Sequence, residues 1–154
     1  MSDTIEKRLA GLGVTLPVAA APAANYVPFM QSGSLLFTAG QLPLKDGKLL
    51  ATGLLGQDVD VAAGQEAARQ CAINILAQAK AALGDLAKIM RLVKITVFVA
   101  SAPGFTEQHL VANGASDFLV AALGDVGKHA RAAVGVASLP LNAAVEIEAV
   151  FETE

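Results

Sequence analysis

Charge is scarce in this chain of 154 residues. Only 16% are Asp, Glu, Lys or Arg, against about 25% in an ordinary soluble domain. Tryptophan is absent, and tyrosine and cysteine occur once each. The lone Cys71 excludes an internal disulfide and any cysteine-based zinc site. Few aromatics leave little on which single-stranded bases could stack. Eleven Lys and Arg face fourteen Asp and Glu, for a net charge of −3. A phosphate backbone needs a basic cluster, and these cations are scattered, so no nucleic-acid partner is expected.

Long uninterrupted hydrophobic runs are missing too. A membrane-spanning helix needs about 20 mostly apolar residues. The longest candidate, Val14 to Met30, contains Pro17, Pro22 and Pro28, which remove helix donors and clash with the preceding turn. Leu92 to Ala102 is short and contains Lys94. The first residues lack the basic start and apolar run of a secretory signal. The expectation is a soluble, cytoplasmic protein with no membrane partner.

What is plentiful is apolar residue: 54% of the chain, with a mean hydropathy of +0.53. One domain of this length buries roughly 70% of its extended surface, and two full domains would be cramped. Residues 3–12 read as a short helix with Asp3 and Glu6 at capping-box spacing. Residues 14–24, rich in Pro and Ala, read as an extended linker. Tyr26–Gln31 and Leu35–Ala39 read as strands around a turn at Ser32-Gly33-Ser34. Asp46-Gly47 suits a type I′ hairpin.

Residues 60–83 predict a long helix. Ala68, Ala72, Ile75, Ala79 and Leu83 make its apolar stripe, and Glu66, Arg69, Gln70 and Lys80 fall away from it. Gly84 is a natural stop. Leu92–Ala100 is rich in β-branched residues and reads as an interior strand. Pro103 is expected to open a second helix running to about Leu123. Two last strands, about 131–138 and 143–152, read as a hairpin joined by Leu139 to Asn142. Mixed elements in this order favour an α+β fold.

No P-loop, His-Glu-x-x-His, EF-hand loop or nucleophile elbow is present. His109 and His129 are the only histidines. They read as surface residues rather than part of a metal site. Cys71, inside the long helix, reads as a small buried hydrophobe rather than a nucleophile. Arg131 shares a strand face with Ala133, Gly135 and Ala137. Small neighbours beside a long cation leave room for a small anion, which guanidinium binds bidentately. The residues alone favour an arginine at a strand end, solvated or paired to a surface glutamate. Glu146 and Glu148 share one face about 6.6 Å apart at strand rise. Two such carboxylates suit acid/base work, while the plainer reading turns a polar strand face to water.

The same two strands resemble a known family. Arg131-x-x-Val-x-Val-x-x-Leu-Pro followed by Val145-Glu146-Ile147-Glu148-Ala149 is similar to the signature of the Rid family, also called YjgF or L-PSP proteins. Asn25-Tyr26-Val27, Leu36 to Pro43 and Val93 to Val99 resemble three further segments of it, in collinear order over residues 25–152. The resemblance implies a chorismate-mutase-like α+β fold, with two main helices on one face of the sheet. It implies a homotrimer with clefts between subunits and an apolar excess hidden at interfaces. It divides the chain into an N-terminal helix and linker, 1–24, and one Rid-like domain, 25–154. The implied activity is hydrolysis of 2-imino acids and their enamine tautomers to 2-keto acids and ammonia, without cofactor or metal.

Residue by residue, the resemblance makes Arg131 the clamp for a substrate carboxylate and Glu146 the acid that activates water. Tyr26 lines the cleft, Ala133 offers backbone groups, and Ala39 and Gly40 belong to the matched turn, continued by Gln41. Ala39 departs from the family, standing where many deaminating members have Ser. Thr38, next to it, should face the other way. The alternatives are a small-carboxylate-binding or regulatory trimer without catalysis and, last, an endoribonuclease.

Overall fold

The computed structural model describes residues 4–21 and 25–154. Helix α1 spans Ile5–Gly11, capped by Thr4, whose Oγ1 accepts a 3.1 Å hydrogen bond from the Lys7 N–H. The cap is therefore Thr4; Asp3, the expected one, lies outside the described residues, as do residues 22–24 of the linker. Ile5 and Leu9 are buried in the same core as the rest of the chain, and Arg8 Nη1 donates to the Leu123 carbonyl at 3.1 Å.

Strands β1 (Phe29–Ser32) and β2 (Leu35–Thr38) form the first hairpin. Strand β1 starts later than expected, so Tyr26 precedes it rather than lying on it. Strands β3 (Leu44–Lys45) and β4 (Lys48–Leu49) form the second hairpin. Asp46 and Gly47 there have φ of 53° and 78°, the positive values a type I′ turn requires.

Helix α2 covers Val61–Leu83, from an Asp60 side-chain cap to Gly84. Ala68, Ala72, Ile75 and Ala79 are fully buried. Gln70, placed off the stripe by its polarity, is buried too. Its carboxamide is satisfied by donating to Asn74 Oδ1 at 3.1 Å. Strand β5 covers Ile89–Ala100, helix α3 Gln108–Leu123, strand β6 Ala130–Val136 and strand β7 Val145–Thr153. Pro103 does not open α3. Gly104 turns the chain at φ 86°, and Gln108 Nε2 then bonds back to the Phe105 carbonyl at 2.8 Å and Ser101 Oγ at 3.2 Å. The helix begins only past that turn.

The five main strands lie in the order β1-β2-β7-β5-β6. Strands β6 and β7 are thus not a hairpin. Strand β5 lies between them, antiparallel to β7 and parallel to β6. A parallel pair needs a crossover, and α3 supplies it. Helices α2 and α3 cover one face, over Leu92, Ile95, Val97, Val99, Val145, Ile147 and Phe151, all fully buried.

The other sheet face is open. The registers place Met30, Phe37, Val150, Lys94 and Ala130 in one row across it. Glu148, Thr96 and Ala132 form the next row, then Glu146, Phe98 and Val134. Met30, Phe37 and Val134 are exposed there. Arg91 and Glu152 pair at 2.8 Å, largely in solvent. No helix among the described residues is long and apolar enough to cross a membrane.

Candidate functional site

Strand period assigns the candidate residues to two opposite faces. On β7, Val145, Ile147 and Ala149 are buried against the helices, so Glu146 and Glu148 point to the open face. Glu148 is exposed, whereas Glu146 is half-buried. The chain beside it explains the difference. Gln41 exchanges backbone hydrogen bonds with Ile147 at 2.8 and 3.1 Å, which lays Gly40 alongside the Glu146 side chain. A Cβ at Gly40 would stand 2.5 Å from Glu146 Oε2. The glycine leaves the space the carboxylate occupies.

Glu146, Tyr26, Ala39 and Gly40 border one cavity of about 330 Å³, closed further by Pro140, Leu141 and Gln78. Gln78 Nε2 donates to the Ala20 carbonyl at 2.9 Å, tying the extended N-terminal segment to α2. Thr38 does face away: its buried Oγ1 accepts the Ala149 N–H at 3.1 Å. The Thr38 hydroxyl therefore does not reach the cavity beside Ala39. Burial, and then the neighbouring Glu148, push the Glu146 carboxyl above its ordinary pKa. A carboxyl so shifted holds and releases a proton closer to neutrality, as a general base or acid needs.

Arg131 is not in this cavity. It lies on β6, the edge strand, opposite the buried Ile95, and reaches along α3. Nη1 donates to Asn113 Oδ1 at 2.9 Å and to Ser116 Oγ at 3.0 Å, and Nη2 to the His109 carbonyl at 2.9 Å. A guanidinium has five N–H donors. Both on Nη1 and one on Nη2 are used. The Nε–H and the second Nη2–H have no protein partner among the described residues, and a carboxylate takes such a pair bidentately. Ala133 and Gly135 follow on the same face. Sequence reasoning missed Asn113 and Ser116. The signal was helical spacing, since 109, 113 and 116 fall on one stripe of α3.

The structure thus brings Tyr26, Ala39, Gly40 and Glu146 together. It places Arg131 and Ala133 on the other side of the sheet. His129 is not a free surface ring, as Nδ1 lies 2.6 Å from the Gly127 carbonyl and Nε2 2.9 Å from Ser116 Oγ. Cys71 is fully buried, with its thiol 3.8 Å from the Val145 carbonyl. Burial and then Glu146 push that thiol up, which keeps it protonated and inert. Among the described residues no group of three or more His, Cys, Asp or Glu side chains is disposed to hold a metal.

Comparison with known proteins shows the family. The family model described as "YjgF/chorismate_mutase-like, putative endoribonuclease" matches residues 6–152. Protein TCP17 of Trypanosoma cruzi is 52% identical over 152 residues, covering 98% of this chain and 95% of its own length. A crystal structure of an Agrobacterium tumefaciens protein of unknown function superposes with a TM-score of 0.92 at 62% identity, over 97% of this chain and 92% of that one. E. coli TdcF with bound serine superposes with a TM-score of 0.66 at 27% identity, over 89% and 94%. With this match over nearly its whole length, and the α+β sheet that carries the matched motifs, the chain belongs to the YjgF/Rid/L-PSP family.

Proposed function

We propose that this protein hydrolyses 2-imino acids and their enamine tautomers to 2-keto acids and ammonia, in clefts between the subunits of a homotrimer. The observation that carries the reading is the Arg131 guanidinium. It is fixed on α3 by three hydrogen bonds yet keeps two donors free for a carboxylate. It also sits on the edge strand, where a neighbouring subunit would approach. A homologue, TdcF, has been crystallised with serine, itself a small carboxylate. The open face with Met30, Phe37 and Val134 exposed supplies apolar surface for an assembly.

In this reading Arg131 of one subunit holds the substrate carboxylate and Glu146 of another faces the imine carbon. That carbon, in the protonated iminium, is already electrophilic. Glu146 takes a proton from water as the water oxygen bonds to carbon, giving a tetrahedral carbinolamine. The proton then passes to the amine nitrogen. The C–N bond breaks, its electron pair leaves with ammonia, and the hydroxyl proton is lost as the keto group forms. Tyr26 and Ala133 line the cleft. Proximity and acid/base help supply the acceleration, the latter typically 10²–10⁴-fold. The chemistry calls for no cofactor or metal.

The test generates an imino acid with an amino-acid oxidase and follows its loss by semicarbazide trapping. Purified protein should speed the loss over buffer, and Arg131→Ala should remove the effect while leaving assembly intact. An unchanged rate overturns the reading for those substrates.

A second reading, a trimer that binds small carboxylates without turnover, is favoured by Ala39, which borders the cavity with no hydroxyl to offer. Thermal-shift screening of keto acids separates the two, since Arg131-dependent binding without imine loss supports the second. The endoribonuclease named in the family description is disfavoured by the net charge of −3. RNA cleavage by the purified protein, lost with Glu146→Gln, would restore it.

A further inference from the structure

Behind Arg131 lies a hydrogen-bonded chain that the deamination chemistry does not use. The Gly127 carbonyl only accepts, so His129 Nδ1 carries the proton of the contact at 2.6 Å. In the neutral ring Nε2 is then an acceptor. The Ser116 hydroxyl donates to it at 2.9 Å. Ser116 Oγ, its proton committed, turns its lone pairs to Arg131 Nη1 at 3.0 Å. Donation runs in one sense, from the guanidinium through Ser116 and His129 to the Gly127 carbonyl. All its side chains are partly buried.

We propose that His129 is a positioning residue for Arg131, acting through Ser116. This rests on Arg131 being the carboxylate clamp. A serine inside a helix has an alternative partner, the carbonyl four residues back, here that of Ala112. His129 Nε2 holds the hydroxyl away from that alternative. Oγ then stays at Nη1, both Nη1 donors stay occupied, and the free pair on Nε and Nη2 keeps one orientation. His129 comes from the turn before β6 and Ser116 from α3. The edge strand and the helix are therefore joined at the clamp itself, and the orientation is set by the fold before any ligand arrives.

The experiment measures two quantities on the intact protein. One is the affinity for 2-oxobutanoate by calorimetry. The other is the Arg131 side-chain N–H spectrum without ligand, which reports whether the guanidinium rotates. His129→Phe keeps a ring and loses the acceptor. It should weaken 2-oxobutanoate about tenfold, the size of one lost hydrogen bond to a charged group, and average the Arg131 Nη–H signals. Ser116→Ala should do the same. The double variant should be no worse than either single one, because the two act as one chain. His129→Gln, whose Oε1 can accept from Ser116, should restore both readouts.

Unchanged Arg131 signals in His129→Phe, or additive losses in the double variant, overturn the proposal. If the wild-type protein binds no 2-oxobutanoate, the carboxylate reading of the site fails. The Arg131 spectrum then still decides whether His129 orients the guanidinium.

Discussion

Arg131 and Glu146 face opposite sides of one sheet, the first along α3 and the second beside Gly40 on the open face. A single chain therefore does not assemble them around one small substrate. If each cleft takes Arg131 from one subunit and Glu146 from its neighbour, two inactive variants complement. Arg131→Ala and Glu146→Gln chains, each inactive alone, should regain roughly a quarter of wild-type turnover when unfolded together and reassembled in equal amounts, as random pairing across a head-to-tail interface gives. Mixed assemblies that form and stay silent would separate the two residues functionally.

Gly40 and Glu146 make a second, local test. A methyl at residue 40 would overlap Glu146 Oε2 at 2.5 Å and its Cδ at 2.9 Å. The displaced atoms are the end of a flexible side chain, so the backbone need not move. Gly40→Ala should cost little stability, on the order of 1 kcal/mol or less. It should nevertheless lower turnover at least tenfold, because a small misplacement of a reacting group is expensive. Denaturant melts alongside imine-loss rates check both halves. Equal activity would show that Glu146 does not act from the position it holds here.

Much of this was legible in the sequence, and what was not has physical causes. The helix over Val61–Leu83 follows from its alanine period and the stop at Gly84, and the Asp46-Gly47 turn from its dipeptide. The pairing of β6 and β7 was not legible, because strand period reveals faces but not neighbours. Two strands joined by the four residues Leu139 to Asn142 look like a hairpin until β5 is seen between them. For the same reason the opposite facing of Arg131 and Glu146 was hidden, since it follows from β6 lying beside β5 rather than β7. Gln70 and His129 were read from polarity, yet Asn74 in one case, and Ser116 with Gly127 in the other, satisfy them under partial or full cover. Tyr26, Ala39 and Gly40 do border a cavity with Glu146, Ala39 and Gly40 because they follow β2, which pairs with β7.

The raised pKa of Glu146 has a stability consequence with a definite sign. Burial first, then Glu148, favour its protonated form in the folded state. The folded chain therefore holds this proton more tightly than the unfolded chain, whose glutamates titrate near about 4.3. The stabilising contribution is full below that value and is lost as pH rises through the raised folded value. Glu146→Gln, permanently neutral, should melt higher than wild type near pH 7. The two should converge below about pH 4. A variant that melts lower at pH 7 would contradict the desolvated carboxyl.

Gly114 shows where the two helices meet most closely. A Cβ there would lie 2.1 Å from the Gln65 carbonyl oxygen and 2.7 Å from its carbon. These are backbone atoms of α2, so no side chain can yield to relieve the contact. Gln65 Nε2 also donates to the Leu110 carbonyl at 2.8 Å, fixing the crossing one turn away. Gly114→Ala must push α3 off α2. Overpacking of this kind costs typically 1–3 kcal/mol, more than the roughly 1 kcal/mol that alanine gains over glycine in a helix. The variant should therefore be less stable despite its better helix propensity. Asn113 and Ser116 flank this glycine, so a shifted α3 also loosens Arg131. Affinity for a small keto acid should fall together with the melting temperature. A Gly114→Ala protein that is stabilised would mean that the helices can separate without cost.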